Sequence, residues 1–388
     1  MQPSAARGSR PMFLIAIQPG RRPEPTAKIG RHMDTKAVGG CRFCACGLRG
    51  GALTQHRHCG RFPDRCITRI WRGFVGGEGG RRIALLGTIN RDTIRTPDGV
   101  ETESYGGILY SLLPLSAIVK DTARILPVVN VGEDMREIVI DYLGPCANID
   151  FEGVAFVPDK NTHCFMVYDE DYNKQETLLG GVPKLTFNRI EPFLSCDAIA
   201  VNFITGIELE LETLQSVREA TEAPIFMDLH SLSLGMDDQN RRFWRVPPYW
   251  NEWIACADVI QMNEQEAALL AGETLDTDDK TYAFGDRLIS NGSSVAIVTR
   301  NANGSDVVYS ENGDTILHHS PPLPAGEPVD ETGCGDVYLM GFMASYLESR
   351  DPVEASRFAN FLAGINVTLR GIEGVRRFGE ELEIRPVS

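Results

Sequence analysis

The sequence predicts an α/β fold: a central, mostly parallel β-sheet flanked by helices on both faces, with a small β-sheet lid. Three observations carry that expectation. Short apolar runs recur along the chain and several end in polar residues, helical patterns separate them, and one extended stretch interrupts the alternation. Alternating strands and helices build parallel βαβ units, and open sheets made this way bind ligands at the carboxyl ends of their strands.

The beginning of the chain stands apart. Residues 1–82 carry 16 Lys and Arg against 4 Asp and Glu; the rest carries 22 against 49, which brings the 388-residue chain to a net charge of −15. The segment is rich in Gly, Arg and Pro and has no sustained period, so residues 1–80 are expected to be a disordered basic extension. Cys41, Cys44, Cys46, His56, His58, Cys59 and Cys66 include a C-x-x-C pair and later ligand types, which suggests zinc, but the second pair lacks finger or ribbon spacing. The same segment is Arg-rich and acid-poor, as a transit peptide would be, without an amphipathic face. Residues 81–388 form the expected body, whose acidity opposes nucleic acid and acidic membrane surfaces. No run approaches the roughly 18 apolar residues that span a bilayer, so no membrane partner is expected. Cys146, Cys164, Cys196, Cys256 and Cys334, an odd set without framework spacing, read as reduced thiols and a cytoplasmic location.

From Arg82 the texture changes. "RRIALLGTIN" is a buried strand emptying into a site-bearing loop, and similar runs begin at Arg124, Asp197, Pro224, Asp258 and Ser293. Between them lie the helical patterns "YGGILYSLLPLSAIVK", "EDMREIVIDYLG", "ELETLQSVREA", "EQEAALLAG" and "TYAFGDRLISN". The interruption is residues 154–181, where Thr162, Cys164, Met166 and Tyr168 fall on one face of a strand and "DEDYNKQ" supplies a turn. With the extended "TIRTPDGVETES" this hairpin makes a lid drawn from about residues 93–105 and 152–182, suited to closing over a pocket. A surface hairpin without function is the alternative.

The chemistry concentrates in "VDETGCGDVYLMGF". A Pro-broken approach precedes it and an apolar helix follows, so Gly333, Cys334 and Gly335 stand at a helix N-terminus. Free N–H groups and the helix dipole there make an anion hole, and glycine admits a phosphate close to the backbone. Asp336 would be held ionised by the same field and could take a proton from a hydroxyl, which together describes phosphoryl transfer to an alcohol. An Asp N-cap after a Gly turn is the plain alternative.

This stretch resembles the D-T-x-G-A-G-D signature of the PfkB, or ribokinase-like, family of carbohydrate and nucleoside kinases, and the resemblance runs in order from about Arg82 to Arg377. It implies a ribokinase-like fold and a set of roles. "GTINRD" is similar to the family's first strand and acceptor loop, carrying Asn90 and Asp92 to the sugar hydroxyls. "YGGILYS" resembles its Gly-Gly motif, with Gly106 and Gly107 admitting the acceptor and Ser111 where ribokinase-type members often have Asn. "MNEQEA" matches N-x-x-E, so Asn263 and Glu266 would organise hydrated Mg²⁺, Glu266 through water. Read without the family, those two residues are equally a helix cap and an exposed first-turn acid. "VTRNANG" and "RFANFLAG" would bring Thr299, Gly304 and Asn360 to the nucleotide, Asn360 beside the adenine.

The departures are specific. Glu331 replaces the usual Thr, Cys334 the usual Ala, and Asn301 stands where many members have Gly. The Cys334 thiol at a helix N-terminus is expected to have a lowered pKa, or else to be a small buried filler. The resemblance implies ATP with Mg²⁺, a monovalent cation near Asp330 and Thr332 in some members, and a sugar or nucleoside acceptor. A homodimer through the lid is the expected assembly. A non-catalytic ligand-binding protein on the same fold is the remaining alternative. Asp228, His230 and Arg242 are attractive as extra acceptor contacts but stay outside the expected catalytic set, since a lone His beside apolar residues is more often structural.

Overall fold

Successive side chains of the first strand face opposite ways: Ile83 and Leu85 enter one core, Ala84 and Leu86 another. Ala198 and Ala200 likewise oppose Ile199 and Val201, and Phe226 opposes Ile225 and Met227. A strand covered on both faces needs apolar residues at both phases of its two-residue period, which is why these runs are continuously apolar in sequence.

The structure, a computed structural model, describes residues 80–171 and 173–384, all within the compact unit Arg61–Ser388. The expectations for the basic extension and its zinc-type ligands lie outside the described residues. In chain order the strands are β1 (Arg81–Leu86), β2 (Ile89–Arg95), β3 (Glu101–Gly107), β4 (Ala123–Gly132), β5 (Val154–Val157), β6 (His163–Tyr168), β7 (Lys174–Leu179), β8 (Ala198–Asn202), β9 (Ile225–Asp228), β10 (Leu234–Met236), β11 (Arg242–Trp244), β12 (Val259–Asn263), β13 (Val295–Thr299), β14 (Ser305–Glu311) and β15 (Asp314–Ser320). The α-helices are α1 (Leu109–Ile118), α2 (Arg136–Leu143), α3 (Phe187–Ile190), α4 (Leu211–Ala220), α5 (Trp250–Ala255), α6 (Glu264–Ala271), α7 (Asp278–Ser290), α8 (Cys334–Ser349), α9 (Pro352–Asn366), α10 (Gly371–Val375) and α11 (Phe378–Ile384).

Nine strands form one sheet in the order β15-β14-β13-β12-β9-β8-β1-β4-β5. Pairing is parallel from β5 to β13 and antiparallel from β13 to β15. Helices α1, α2 and α8 to α11 cover one face, and α3 to α7 the other. The neighbours of β1, β4 and β8, lie on its opposite sides, which creates a crevice at the carboxyl ends of β1 and β8 where such sheets bind ligands.

A second, four-stranded sheet has the order β3-β2-β6-β7. It is the small second sheet expected from the sequence, with two differences. Val154–Val157, expected within it, pairs with the end of β4 and forms the edge of the large sheet, because Val129–Gly132 offers that edge a free backbone ladder. "GTINRD", expected as a loop, breaks only at Gly87 and Thr88 and resumes as β2, held by β3 on one side and β6 on the other. A short antiparallel ribbon, β10 with β11, extends the small sheet: Arg241 bridges to Thr177, and the Leu178 N–H donates to the Asn240 carbonyl at 3.0 Å. Among the described residues no helix is long and apolar enough to cross a membrane.

Candidate active site

Helix α8 starts in the crevice. Its N-cap is Gly333 at φ +78°, a left-handed conformation that glycine adopts without strain, and any Cβ there would collide with the Tyr110 ring. A Cβ on Gly335 would meet only the Gln261 amide, at 3.7 Å, so the backbone there faces open space. The Cys334 N–H closes the preceding turn onto the Glu331 carbonyl at 3.2 Å. Cys334 takes the filler alternative: burial pushes its thiol up to about 11, despite a hydrogen bond from Asn366, so it is a half-buried filler and not an activated nucleophile.

Asp336 occupies the first turn of α8, and its Oδ1 accepts hydrogen bonds from Asn202 Nδ2 and from Ser111 Oγ, the latter at 3.3 Å. The sequence led us to expect an ionised carboxylate. In the structure burial outweighs His230, Asn202 and Ser111 and raises its pKa above the usual carboxylate value. Ser111 therefore reaches Asp336 directly. It is fully buried and also accepts from Asn202 Nδ2 at 3.2 Å.

The residues expected to meet the acceptor converge through the β2–β3 register, which sets Asn90 opposite Gly106 and Ile89 opposite Gly107. Gly107 has φ +66°, and a Cβ there would collide with the Thr88 carbonyl. Asn90 is buried with its Oδ1 unpartnered. Burial first, and then Glu176 on β7, push Asp92 up to about 7 against the pull of Lys174. Tyr110 is buried near Asp330, Asp92 and Asp336, and burial with those charges raises its hydroxyl pKa.

On the other side Asn263 and Glu266 form a reciprocal cap on α6: Asn263 Oδ1 accepts from the N–H groups of Gln265 and Glu266, while Glu266 accepts the Asn263 N–H and side-chain amide, both at 2.8 Å. Glu266 is 3% exposed, so it is not the exposed first-turn acid that the plain reading described. With both oxygens bonded to Asn263, it fits a hydrated cation held through water better than a direct ligand. Among the described residues no group of three or more His, Cys, Asp or Glu is placed to hold a metal. Asp330 accepts N–H bonds from Thr332 and Gly371, which with Arg370 outweigh its burial and lower its pKa. Thr299 ends β13 beside Asn263. Gly304, at φ +85°, approaches the Ser320 carbonyl too closely for any side chain. Asn301 takes φ +49°, a left-handed conformation that Asn tolerates. The Asn360 amide donates to Ser320 O at 3.1 Å, Ser320 Oγ at 3.0 Å and Ser305 Oγ at 3.2 Å, which ties α9 to β14 and β15.

Sequence reading missed a polar row beneath α8. Asn202 and Asp228, which end β8 and β9, and Gln261 within β12 are register partners. Gln261 Nε2 donates to Asp228 Oδ2 at 3.0 Å and to the Gly335 carbonyl at 2.8 Å. Burial first pushes Asp228 up to about 8, with Glu266 and Asp336 adding to it against the pull of His230. A signal was present: Asn202 shares the strand phase of Ala198 and Ala200, Asp228 that of Phe226, and Gln261 that of Val259, all on the face that α8 covers. His230, also left aside, takes the strained φ of +33° and sets Nδ1 3.8 Å from Glu266 Oε1. Its side chain is about half exposed; desolvation within the crevice lowers its pKa, but Asp228, Glu266 and Asp336 raise it overall. Arg242 is structural: it is buried and donates to the carbonyls of Thr205 and Ser231.

Residues 210–374 match the profile of the pfkB family carbohydrate kinases. Over this stretch the chain is similar to that family. Among curated relatives, cytidine kinase of Thermococcus kodakarensis is 26% identical over 279 residues, covering 71% of this chain and 92% of that protein. Ribokinase of Arabidopsis thaliana is 23% identical over 253 residues, 62% of each chain. The solved structure of Arabidopsis thaliana ribokinase complexed with ribose and ATP superposes with a TM-score of 0.61 at 17% identity, over 78% of this chain and 99% of that one. The ribokinase-like fold expected from the sequence is the fold observed. The resemblance to the PfkB family read from the sequence holds over residues 210–374.

Proposed function

We propose that residues 81–388 form a PfkB-type kinase that transfers the γ-phosphoryl group of ATP to a hydroxyl of a small carbohydrate. The observation that carries the reading is the position of Asp336: one turn inside a helix whose glycine-bounded start faces open space, and hydrogen-bonded to the helix that follows the Gly106-Gly107 pair. Phosphoryl transfer asks the protein mainly for positioning and for stabilisation of charge on the moving group. The backbone N–H groups of Gly333 and Gly335 with the α8 dipole would stabilise that charge, the Cys334 N–H being turned to the Glu331 carbonyl, and Asp336 would accept the hydroxyl proton. Its raised pKa makes it a stronger base than an ordinary carboxylate while leaving it largely protonated in acid.

Asn90, Asp92 and the backbone of Gly106 and Gly107 would orient the acceptor beneath the lid, whose closure excludes the water that would otherwise receive the phosphoryl group. Thr299, Gly304 and Asn301 would border the nucleotide, and Asn360 would shape its base pocket through the β14–β15 end it holds. Asn263 and Glu266 would hold hydrated Mg²⁺, which supplies charge neutralisation between phosphates when bound. Asp330 would be the carboxylate beside a monovalent cation. The acidic body and reduced thiols suit a cytoplasmic small-molecule enzyme.

A nucleoside acceptor is the second reading, favoured by the cytidine kinase relative, 92% of whose length this chain covers. A screen of sugars, polyols and nucleosides with ATP and Mg²⁺, followed by ADP formation and product mass, tests both. One acceptor class should give ADP and a phosphorylated product in equal amounts. No acceptor-dependent ADP across the panel would sink the proposal and leave a ligand-binding protein on a kinase fold.

A further inference from the structure

We propose that Asn202 is the positioning residue of the base: its amide holds the Asp336 carboxylate in the orientation and charge state from which it takes the acceptor proton. The inference deepens the functional reading above and rests on it. Asn202 is completely buried at the carboxyl end of β8 and meets Asp336 across 134 residues of chain. One side-chain amide serves two partners, donating to Asp336 Oδ1 and to Ser111 Oγ, and Ser111 donates in turn to the same Oδ1. The three groups close a triangle in which both donors point at a single carboxylate oxygen. A base oriented by a third group is the general logic of activated catalytic pairs.

The other end of the amide argues the same way. Asn202 Oδ1 is buried without a hydrogen-bond partner, an unfavourable arrangement for a carbonyl. Turning the amide over would leave the carboxylate without this donor and set two acceptors against each other. The bare carbonyl is therefore the cost of presenting NH₂ to an ionised Asp336. Other groups facing Asp336 are His230 and Asp228 at the end of β9, Tyr110 on α1 and Cys334 on its own helix. Of these His230 alone favours the ionised form by charge, while Asn202 and Ser111 favour it by direct hydrogen bonds.

Two variants test the assignment. Asn202→Leu removes the donor at similar volume, and Asn202→Asp keeps the shape while placing a second carboxylate against the first. The first readout needs no turnover: the ¹³C carboxyl titration of Asp336 in the free protein, assigned by its absence in Asp336→Asn. Its midpoint should move upward by about one unit in Asn202→Leu and further in Asn202→Asp. The second readout is steady-state kinetics on the acceptor found in the screen. The acid limb of kcat should move the same way and the plateau fall about tenfold or more, with KM for ATP held within about twofold. An unmoved Asp336 midpoint in folded variants, or a lower kcat with an unchanged acid limb, would reduce Asn202 to core filling. Wild-type turnover by Asp336→Asn would sink the base and its positioning residue together. Loss of turnover in Asp336→Asn alongside wild-type pH profiles in both Asn202 variants would sink only the positioning role.

Discussion

Gly106 lies against the Asp92 carboxylate so closely that a Cβ on the glycine would overlap Oδ2. The obstructing atom is the tip of a side chain, so Gly106→Ala displaces the carboxylate and leaves the β2–β3 ladder in place. We expect acceptor KM to rise about tenfold or more, with KM for ATP nearly constant and the melting temperature little changed. Equal effects on both substrates in initial-rate kinetics would show that Gly106 shapes the whole crevice and not the acceptor side.

Asp336→Asn keeps the size of the side chain and removes the base. If the residue served only the helix start, the variant would lose at most about 1 kcal/mol of stability and retain its rate. As the base, its loss should lower kcat by roughly 100-fold or more while ATP still binds, measured by calorimetry, and the fold still melts near the wild-type temperature. Gly335→Val should behave differently, weakening ATP binding itself by filling the open space before the backbone.

The two demands on Asp92 have opposite signs in pH. Its folded pKa, about 7, lies above the unfolded carboxylate value, so the folded protein holds a proton that the unfolded chain releases. The stability this contributes is complete below about pH 4 and is lost as pH rises through 7. Denaturation of wild type and Asp92→Asn across that window should show wild type declining relative to the variant. Acceptor binding needs the ionised form to accept hydroxyl hydrogens, so acceptor KM should fall from pH 6 to 8. A flat KM over that range would remove Asp92 from acceptor recognition.

Cys334 should resist alkylation. Its thiol is raised to about 11 and only partly accessible, so in the native protein iodoacetamide should label it far more slowly than a free thiol near its usual pKa. Peptide mapping after timed labelling measures this. Rapid native labelling would show that the start of α8 opens in solution.

The main lines of the fold were legible because a strand buried on both faces leaves an unmistakable apolar run and the helices between leave a 3.6-residue period. Val154–Val157 was assigned to the lid because an apolar tetrapeptide beside a hairpin gives no sign of which sheet edge it will join. Asn90 and Asp92 were read as loop residues for a related reason: β2 owes its existence to β3 and β6, contacts no local pattern reveals. Gly333, Gly335 and Asp336 announced themselves through glycine at a helix start. Asn202 and Gln261 did not, since a polar residue ending an apolar run looks like the beginning of a turn until the strand register aligns several of them under one helix. The upward push on the Asp336 pKa was not legible because burial, its largest cause, is not visible in sequence.

The chain distances that separate Asp336 from its partners carry a consequence for biosynthesis. Ser111 precedes it by 225 residues and Asn202 by 134, and loop closure over such spans is slow. A ribosome makes β1 to β15 before it reaches Cys334. At that stage the face of the sheet lined by Phe226, Val259, Ile297 and Val307 still awaits the apolar sides of α8 and α9. The nascent α/β body therefore presents a bare hydrophobic surface until α8 and α9 emerge, the condition under which chains recruit chaperones or aggregate. The segment that would supply the base is also the one that ends this vulnerability, so maturation of the fold and assembly of the catalytic centre would be a single late docking event.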